Sequence, residues 1–159
     1  MPEPQALELD KSSEANSTFD LVGFFPYQTR VFYRHVFDIV SRVYMAEYEM
    51  KPHEWRTIAI LGGGHSLTSA EIVERSSMDK VTVSRAVAGL RKRGWLVELT
   101  NRNDGRSKVL KLSKAGRDVF QDLVPKMLKI EQDILSPLSP DEADELLRLM
   151  KKVRNSEDK

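Results

Sequence analysis

The sequence has no cysteine, so it can form neither disulfides nor thiolate metal sites, and it offers no cysteine nucleophile. It also has no run of about 18 apolar residues of the kind that spans a membrane. Its N-terminus lacks the basic start and the apolar stretch of a secretion signal. These absences predict a soluble, cytoplasmic protein.

Groups that carry catalysis in other proteins are also scarce. The three histidines, His35, His53 and His65, lie too far apart in the sequence to indicate a metal site. The glycine triplet at 62–64 lacks the ending and the preceding strand of a phosphate-binding loop, and no G-x-S-x-G motif occurs. We therefore predict that the chain is not an enzyme and needs no metal or other cofactor.

Charge is distributed unevenly along the chain. From Arg75 to Arg117 there are twelve lysines or arginines and three acidic residues, whereas the rest of the chain has 13 basic and 21 acidic residues. A strongly basic segment within an acidic chain indicates a polyanionic partner. The alternative is a basic face that is only solvated.

Local patterns divide the first third of the chain into an arm and two helices. Residues 1–19 are polar, rich in Pro and Ser and without periodicity, which predicts a disordered arm. Apolar residues at helical spacing predict a helix over about 27–45. Pro52 suits the first turn of a second helix, over about 52–61.

The basic segment has the pattern of a winged helix-turn-helix. The T-x-x-E capping box at 68–71 opens a short helix, and Asp79 is the expected N-cap of a longer helix over 80–93, ended by Gly94. The hydrophobic period then changes from 3.6 to 2, which predicts strands over 95–100 and 107–112. The Asp-Gly step at 104–105 between them predicts a hairpin turn, so a β-hairpin directly follows two short helices.

Two more helices are predicted after the hairpin. Ser113 can cap a helix over 114–135 that contains Pro125, and a second capping box at 139–142 opens the last helix. The fold class is therefore mainly α with a small β-hairpin wing.

The predicted organisation has a DNA-contacting lobe between helical ends. We assign a winged helix-turn-helix lobe to residues 49–113 and helical dimerisation regions to residues 20–48 and 114–159. The terminal helices are mostly acidic, whereas the basic unit lies between them. Terminal helices that pair two subunits would leave the central lobe free to contact DNA.

The helix over 80–93 has one apolar face and one small, basic face. A spacing of 100° per residue predicts that Val83, Ala86, Val87 and Leu90 point inward. The outward face is then Val81, Arg85, Ala88, Gly89 and Lys92, flanked by Thr82 and Ser84. A glycine inside a helix costs about 1 kcal/mol relative to alanine, so Gly89 indicates either a close approach to another group or a tolerant surface position.

Four stretches carry a recognisable pattern: DKVTVSR at 79–85, LRKRGWL at 90–96, NDGRS at 103–107 and LKLSKAG at 110–116. Together they resemble the MarR family of bacterial transcription regulators. The resemblance covers about residues 20–154. The family's usual opening of this helix is similar to D-K-[SG]-T-V-[ST]-R. This chain departs from it at Val81, which bears on base preference at that position and not on DNA binding.

The resemblance implies a homodimer with two winged-helix lobes over successive major grooves of double-stranded DNA. Family members commonly repress genes and release DNA when small phenolic or aromatic anions bind. Thr82, Ser84 and Arg85 would face the major groove, and Arg106 would enter the minor groove with Asp104 holding it. The full set of predicted DNA contacts is Thr68, Ser69, Lys80, Val81, Thr82, Ser84, Arg85, Lys92, Arg102, Asp104, Arg106, Ser107 and Lys108.

A ligand site is predicted from aromatic residues and one cation. Phe25, Arg30, Tyr33 and Trp55 offer apolar walls and a partner for a carboxylate, although core packing explains the aromatic residues equally well. The function predicted is a repressor released from a pseudo-palindromic operator by a small aromatic or phenolic ligand. The alternative is a winged-helix module that binds DNA constitutively or contacts proteins without a ligand response.

Overall fold

A computed structural model describes residues 19–100 and 108–155. These ranges contain six helices and one two-stranded antiparallel hairpin. In chain order the elements are α1 (Phe25–Tyr48), α2 (Pro52–Gly62), α3 (Ser69–Ser76), α4 (Lys80–Lys92), β1 (Leu96–Thr100), β2 (Lys108–Leu112), α5 (Lys114–Leu135) and α6 (Pro140–Arg154). The predicted fold class, mainly α with a β-hairpin after a helix-turn-helix, is confirmed. Within the same ranges no helix is both long and apolar enough to cross a membrane.

Four helices begin at the capping residues that the sequence predicts. In each case a side-chain oxygen accepts the backbone N–H three residues further on, which satisfies one free donor of the first turn. The pairs and their N–O distances are Thr68 with Glu71 (3.3 Å), Asp79 with Thr82 (2.8 Å), Ser113 with Gly116 (3.0 Å) and Ser139 with Glu142 (3.3 Å). Because each cap joins residues only three positions apart, these helix starts can be predicted without knowledge of tertiary contacts.

Helix ends follow the prediction less closely. The predicted helix over 27–45 is longer in the structure: α1 begins at Phe25, with Pro26 in its first turn, and continues to Tyr48 because no glycine or proline follows Pro26 within it. It stops before Glu49, whose φ of 48° lies in the left-handed region. Helix α4 ends at Lys92, one residue earlier than predicted, and Gly94 follows with a φ of 70°.

The chain forms two compact units, one up to His35 and one from Val36 onward. In the first unit, the described residues 19–35 are all exposed. In the second, buried apolar side chains from α2, α3, α4, the hairpin and α5 form one core. Its fully buried members include Met50, Ile58, Ile72, Leu90 and Leu123. The division into a DNA-contacting lobe and dimerisation regions stays a prediction.

The hairpin is attached to the core by one face. Leu96 pairs with Leu112, and all three of its inward leucines, including Leu110, are buried. Leu110 also exchanges two backbone hydrogen bonds with Leu67, of 2.7 and 3.1 Å, just before α3. The second strand of the wing is therefore fixed to the entry of the helix-turn-helix.

The first turn of α5 packs directly on the backbone that enters the hairpin. The Ser113 N–H donates to the carbonyl oxygen of Trp95 at 3.0 Å. A Cβ atom at Gly116 would lie 2.0 Å from that same oxygen. Because the obstacle is backbone, rotation of a side chain cannot remove the overlap. Gly116 is therefore required by the close approach of α5 to the hairpin.

We expect Gly116→Ala to lower the free energy of unfolding by about 2–3 kcal/mol, because the overlap forces two backbones apart. Alanine is the better helix former, so helix propensity alone predicts the opposite sign. Urea unfolding followed by circular dichroism measures the effect. The matched control is Ala115→Gly at the exposed neighbouring position, which should cost no more than about 1 kcal/mol. A smaller loss of stability from Gly116→Ala than from Ala115→Gly would contradict this packing.

Candidate nucleic-acid interface

A tight turn joins α3 to α4 and sets the position of α4. Ser77 adopts a left-handed conformation with φ 53°, and the buried Ser76 hydroxyl oxygen accepts the Met78 N–H at 3.2 Å. Met78 itself is buried. Asp79 then caps α4. The sequence between the two helices thus supplies both the turn and the start of the second helix.

Helix α4 presents one face to solvent and buries the other. Val83, Ala86 and Leu90 are buried, as the spacing predicts, and Val87 is half-buried. The exposed residues among the predicted DNA contacts of this helix are Lys80, Val81, Ser84, Arg85 and Lys92. Val81 is 59% exposed, so its apolar side chain is open to a partner. A small, basic surface is therefore available to a partner along the whole of α4.

The placement of Gly89 on this outward face is wrong. Gly89 is half-buried, and a Cβ atom there would lie 2.1 Å from Oε1 of Glu54 on α2. Glu54 is itself buried, and its Oε2 accepts the Lys51 N–H at 2.8 Å to cap α2. The close approach that a glycine indicates is therefore made to a carboxylate inside the fold and not to a ligand.

We expect the effect of Gly89→Ala to change sign with the residue at position 54. With Glu54 present, the new methyl group should displace the capping carboxylate and cost about 1 kcal/mol of stability net. In a Glu54→Ala background the same change should stabilise by about 0.5–1 kcal/mol, because only helix propensity remains. Urea unfolding of the parent chain, the two single variants and the double variant gives the coupling free energy between positions 54 and 89. Equal effects in both backgrounds would show that Gly89 has another cause.

The hydroxyl groups of two predicted contact residues make hydrogen bonds within helix caps. The Thr82 hydroxyl donates to Oδ2 of Asp79 at 2.8 Å, and the Thr68 hydroxyl donates to Oε2 of Glu71 at 2.8 Å. Hydrogen bonds from the Thr82 backbone and hydroxyl hold the pKa of Asp79 below its ordinary value. Each threonine oxygen keeps a free lone pair and can still accept a hydrogen bond. Ser69, at the first position of α3, is exposed.

The wing carries one ion-pair cluster in its described part. Glu98 of β1 lies 3.2 Å from Nη1 of Arg91 and 2.5 Å from Nζ of Lys108. Lys108, a predicted phosphate contact, therefore already has an acidic neighbour. Four other predicted contacts, Arg102, Asp104, Arg106 and Ser107, lie outside the described residues, as does the predicted Asp-Gly turn.

Arg93 has a role that the sequence pattern does not indicate. Its Nη2 donates to the carbonyl oxygen of Glu49 at 2.8 Å, and its Nη1 donates to the carbonyl oxygen of Tyr48. The guanidinium carbon also lies 4.8 Å from the centre of the Trp95 ring. A cation at the C-terminus of a helix is favourable for the helix dipole. Arg93 thus connects the end of α4 to the end of α1, and its partners lie 44 and 45 positions away in sequence.

The predicted ligand residues lie on two helices. Phe25, Arg30 and Tyr33 are exposed on the N-terminal half of α1. Trp55 of α2 is half-buried and stacks on Tyr44, with 6.2 Å between the ring centres. Their role in ligand binding stays a prediction. Among the residues that the structure describes, no three His, Asp or Glu side chains are grouped as a metal site requires.

Comparisons of sequence and of structure both identify transcriptional regulators as relatives of this chain. Residues 48–107, the winged-helix part of the chain, match the MarR family. The chain is 26% identical over 111 residues to the HTH-type transcriptional regulator PecS of Dickeya dadantii, which covers 68% of this chain and 67% of PecS.

Solved structures extend the likeness to nearly the whole described chain. The PcaV transcriptional regulator of Streptomyces coelicolor, in complex with its natural ligand, has a TM-score of 0.76 at 23% identity, covering 88% of this chain and 98% of PcaV. BpsR of Bordetella bronchiseptica, whose DNA binding is regulated by 6-hydroxynicotinic acid, has a TM-score of 0.79 at 18% identity, covering 87% and 98%. The sequence motifs, the winged-helix geometry and these relatives agree: residues 48–107 match the MarR family, and the described chain shares the fold of solved transcriptional regulators.

Proposed function

We propose that this chain is a homodimeric, sequence-specific DNA-binding repressor that releases its operator when a small aromatic or phenolic ligand binds. The observation that carries this proposal is the exposed face of α4. It presents Val81, Ser84, Arg85 and Lys92 to solvent while the opposite face is buried in the core. A helix with small and basic exposed residues fits the major groove, where side chains read base edges.

The predicted contacts divide into two groups by what they would meet. Ser84 and Arg85 near the middle of α4 suit base edges, and Val81 near its start suits the methyl group of thymine. Lys80, Lys92 and Ser69 suit backbone phosphates, which fix the register of a protein on the duplex. In the wing, Arg106 is proposed to enter the minor groove with Asp104 holding it, and Arg102 to meet phosphate.

Exposed apolar residues on α6 support the proposed dimer. No residue of α6 is buried, and Leu147 and Met150 are each 52% exposed although they lie on one stripe of the helix. A groove of about 410 Å³ on α6 is lined by Leu138, Leu146 and Leu149 and by acidic residues. A helix of this kind needs a partner surface to bury its apolar stripe. In the first unit, α1 likewise exposes Val31 and Phe32.

Dimerisation has a direct consequence for the operator. Two identical winged-helix lobes related by a two-fold axis require two similar half-sites. The half-sites should lie about one helical turn apart, ~10 base pairs, and form a pseudo-palindrome.

The proposed ligand response is supported by relatives and by one contact. PcaV was solved with its natural ligand, and an aromatic acid regulates the DNA binding of BpsR. Phe25, Arg30, Tyr33 and Trp55 would supply ring contacts and a cation for such an acid. The hydrogen bonds of Arg93 to the end of α1 give a physical connection between that helix and α4.

Selection of bound duplexes from a random pool, with and without a panel of aromatic acids, tests the proposal. A palindromic consensus that one of the acids releases is the expected result. Binding without sequence preference would refute the sequence-specific function, and a consensus that no aromatic or phenolic compound releases would refute the ligand response.

A second candidate is a constitutive DNA-binding or protein-contacting module, and one feature of the wing favours it. Val97 and Leu99 are 40% and 47% exposed on the outer face of β1. Exposed apolar residues on a β-strand suit a protein partner. Leu99→Ser should leave DNA affinity unchanged in the repressor and weaken partner binding in the alternative.

A further inference from the structure

Glu98 joins two structural elements through one carboxylate. Its Oε2 lies 3.2 Å from Nη1 of Arg91, in the last turn of α4, and its Oε1 lies 2.5 Å from Nζ of Lys108, the first residue of β2. The Glu98 side chain is 22% exposed, whereas those of Arg91 and Lys108 are 53% and 70% exposed. The carboxylate is therefore the least exposed member of the cluster, and its two cationic partners are more open to solvent.

The cluster lies in the basic segment of the chain, where acidic residues are scarce. Between Lys80 and Arg117 the sequence has two acidic residues, Glu98 and Asp104. Lys114, by contrast, forms a local pair within one helix, with Asp118 four residues further on. Glu98 of β1 instead pairs with Arg91 of α4 and with Lys108 of β2, the other strand of the hairpin. Its single negative charge therefore reduces the positive charge of two elements that the proposed function places against DNA.

We propose that Glu98 lowers the sequence-independent affinity of the winged helix for DNA by holding Arg91 and Lys108 against its carboxylate. This inference rests on the proposed DNA-binding function. Binding to the phosphate backbone gains free energy from release of counterions, and each cation that neutralises a phosphate contributes to it. A cation already paired with a carboxylate contributes less, because a phosphate must displace or share that partner. Glu98 thereby raises the ratio of specific to non-specific binding.

The charge of Glu98 persists under the conditions in which DNA binding is measured. The hydrogen bond from Lys108 holds the pKa of the Glu98 carboxyl below its ordinary value, so the group is ionised at neutral pH. Glu98→Gln removes the charge and keeps an amide oxygen that can accept from either cation. This substitution therefore separates the electrostatic role of Glu98 from its role in holding the wing in place.

The experiment measures the affinity of the full chain for a short random-sequence duplex by fluorescence anisotropy, between about 50 and 200 mM salt. For Glu98→Gln we expect the slope of log K against log salt to steepen by about one to two units, because one or two more phosphates are neutralised. We also expect affinity at the low-salt end to rise roughly tenfold. Glu131→Gln, an exposed residue of α5, makes the same change in net charge and should leave the slope unchanged.

Lys108→Gln in the parent chain gives a second measurement that does not depend on the folding of the Glu98 variant. In the parent chain it should change the slope little, because Lys108 is already held by Glu98. In the Glu98→Gln background it should reduce the slope by about 0.9 units, the contribution of one phosphate contact. A loss of about 0.9 units in the parent chain would show that Lys108 contacts phosphate freely, which overturns the inference.

The outcomes separate this inference from the proposed function. If the parent chain binds no duplex, the proposed function fails and the inference fails with it. If the parent binds DNA but Glu98→Gln leaves the slope unchanged or makes it shallower, the inference alone is overturned. A steeper slope with a lower preference for the selected operator over the random duplex supports it.

Discussion

Replacing Arg85 by alanine should nearly abolish operator binding without changing the stability of the fold. Arg85 is exposed in the middle of the outward face of α4, and its neighbours Val83 and Ala86 are buried in the core. A good bidentate contact from arginine to a base is worth about 1–3 kcal/mol of discrimination. In a symmetric dimer the contact is made twice, so the expected loss is about 2–6 kcal/mol, or roughly 30- to 20,000-fold in affinity.

Two other substitutions serve as comparisons for Arg85→Ala. Lys92→Ala, at the exposed end of α4, should weaken binding about equally on the operator and on random duplexes, because phosphate contacts carry no sequence information. Arg56→Ala removes the same charge from an exposed position on α2 and should have little effect on either. Titration by anisotropy on both duplexes measures all three. If Arg85→Ala weakened binding to both duplexes equally, the assignment to a base edge would be wrong.

Local features of the sequence predicted much of this fold, because their physical cause is also local. The caps at Thr68, Asp79, Ser113 and Ser139 each depend on atoms within three residues, so a short pattern determines them. The buried face of α4 follows in the same way from helical spacing. Where a hydrogen bond spans one turn of helix, the prediction holds.

Features that depend on contacts between distant residues could not be predicted. Gly89 was placed on the outward face because its helical angle points there, and only the position of Glu54 on α2 shows why the glycine is needed. Arg93 counted as one more basic residue, although it binds the end of α1. Glu98 likewise becomes significant only when folding brings Arg91 and Lys108 to it.

The structure describes only part of the candidate DNA-binding surface. The exposure of Ser84, Arg85 and Lys92 follows the predicted helix face. The wing residues from Arg102 to Ser107 lie outside the described ranges, so their contacts stay predictions. The ligand residues depend on how helices combine in an assembled dimer, and a pattern within one chain does not contain that information.

Removing residues after Pro137 should abolish the dimer while leaving the winged helix folded. The deletion removes α6, which has no buried residue, whereas the core residues lie between Tyr44 and Leu123. The deletion should therefore weaken association of the subunits and leave folding of the winged helix unchanged. Light scattering gives the mass of the truncated chain, and urea unfolding gives its stability. A truncated chain that stays dimeric would refute the proposed arrangement of the subunits.

Point substitutions on α6 test the same arrangement without a deletion. Leu147 and Met150 lie on the exposed apolar stripe, whereas Arg148 and Lys152 lie on the opposite side of the helix. Leu147→Gln with Met150→Gln should weaken the dimer by roughly 2–4 kcal/mol, because two apolar side chains per subunit lose their burial. Arg148→Gln with Lys152→Gln should leave it intact. Operator affinity should fall with dimer stability in the first variant, since one lobe alone reads one half-site.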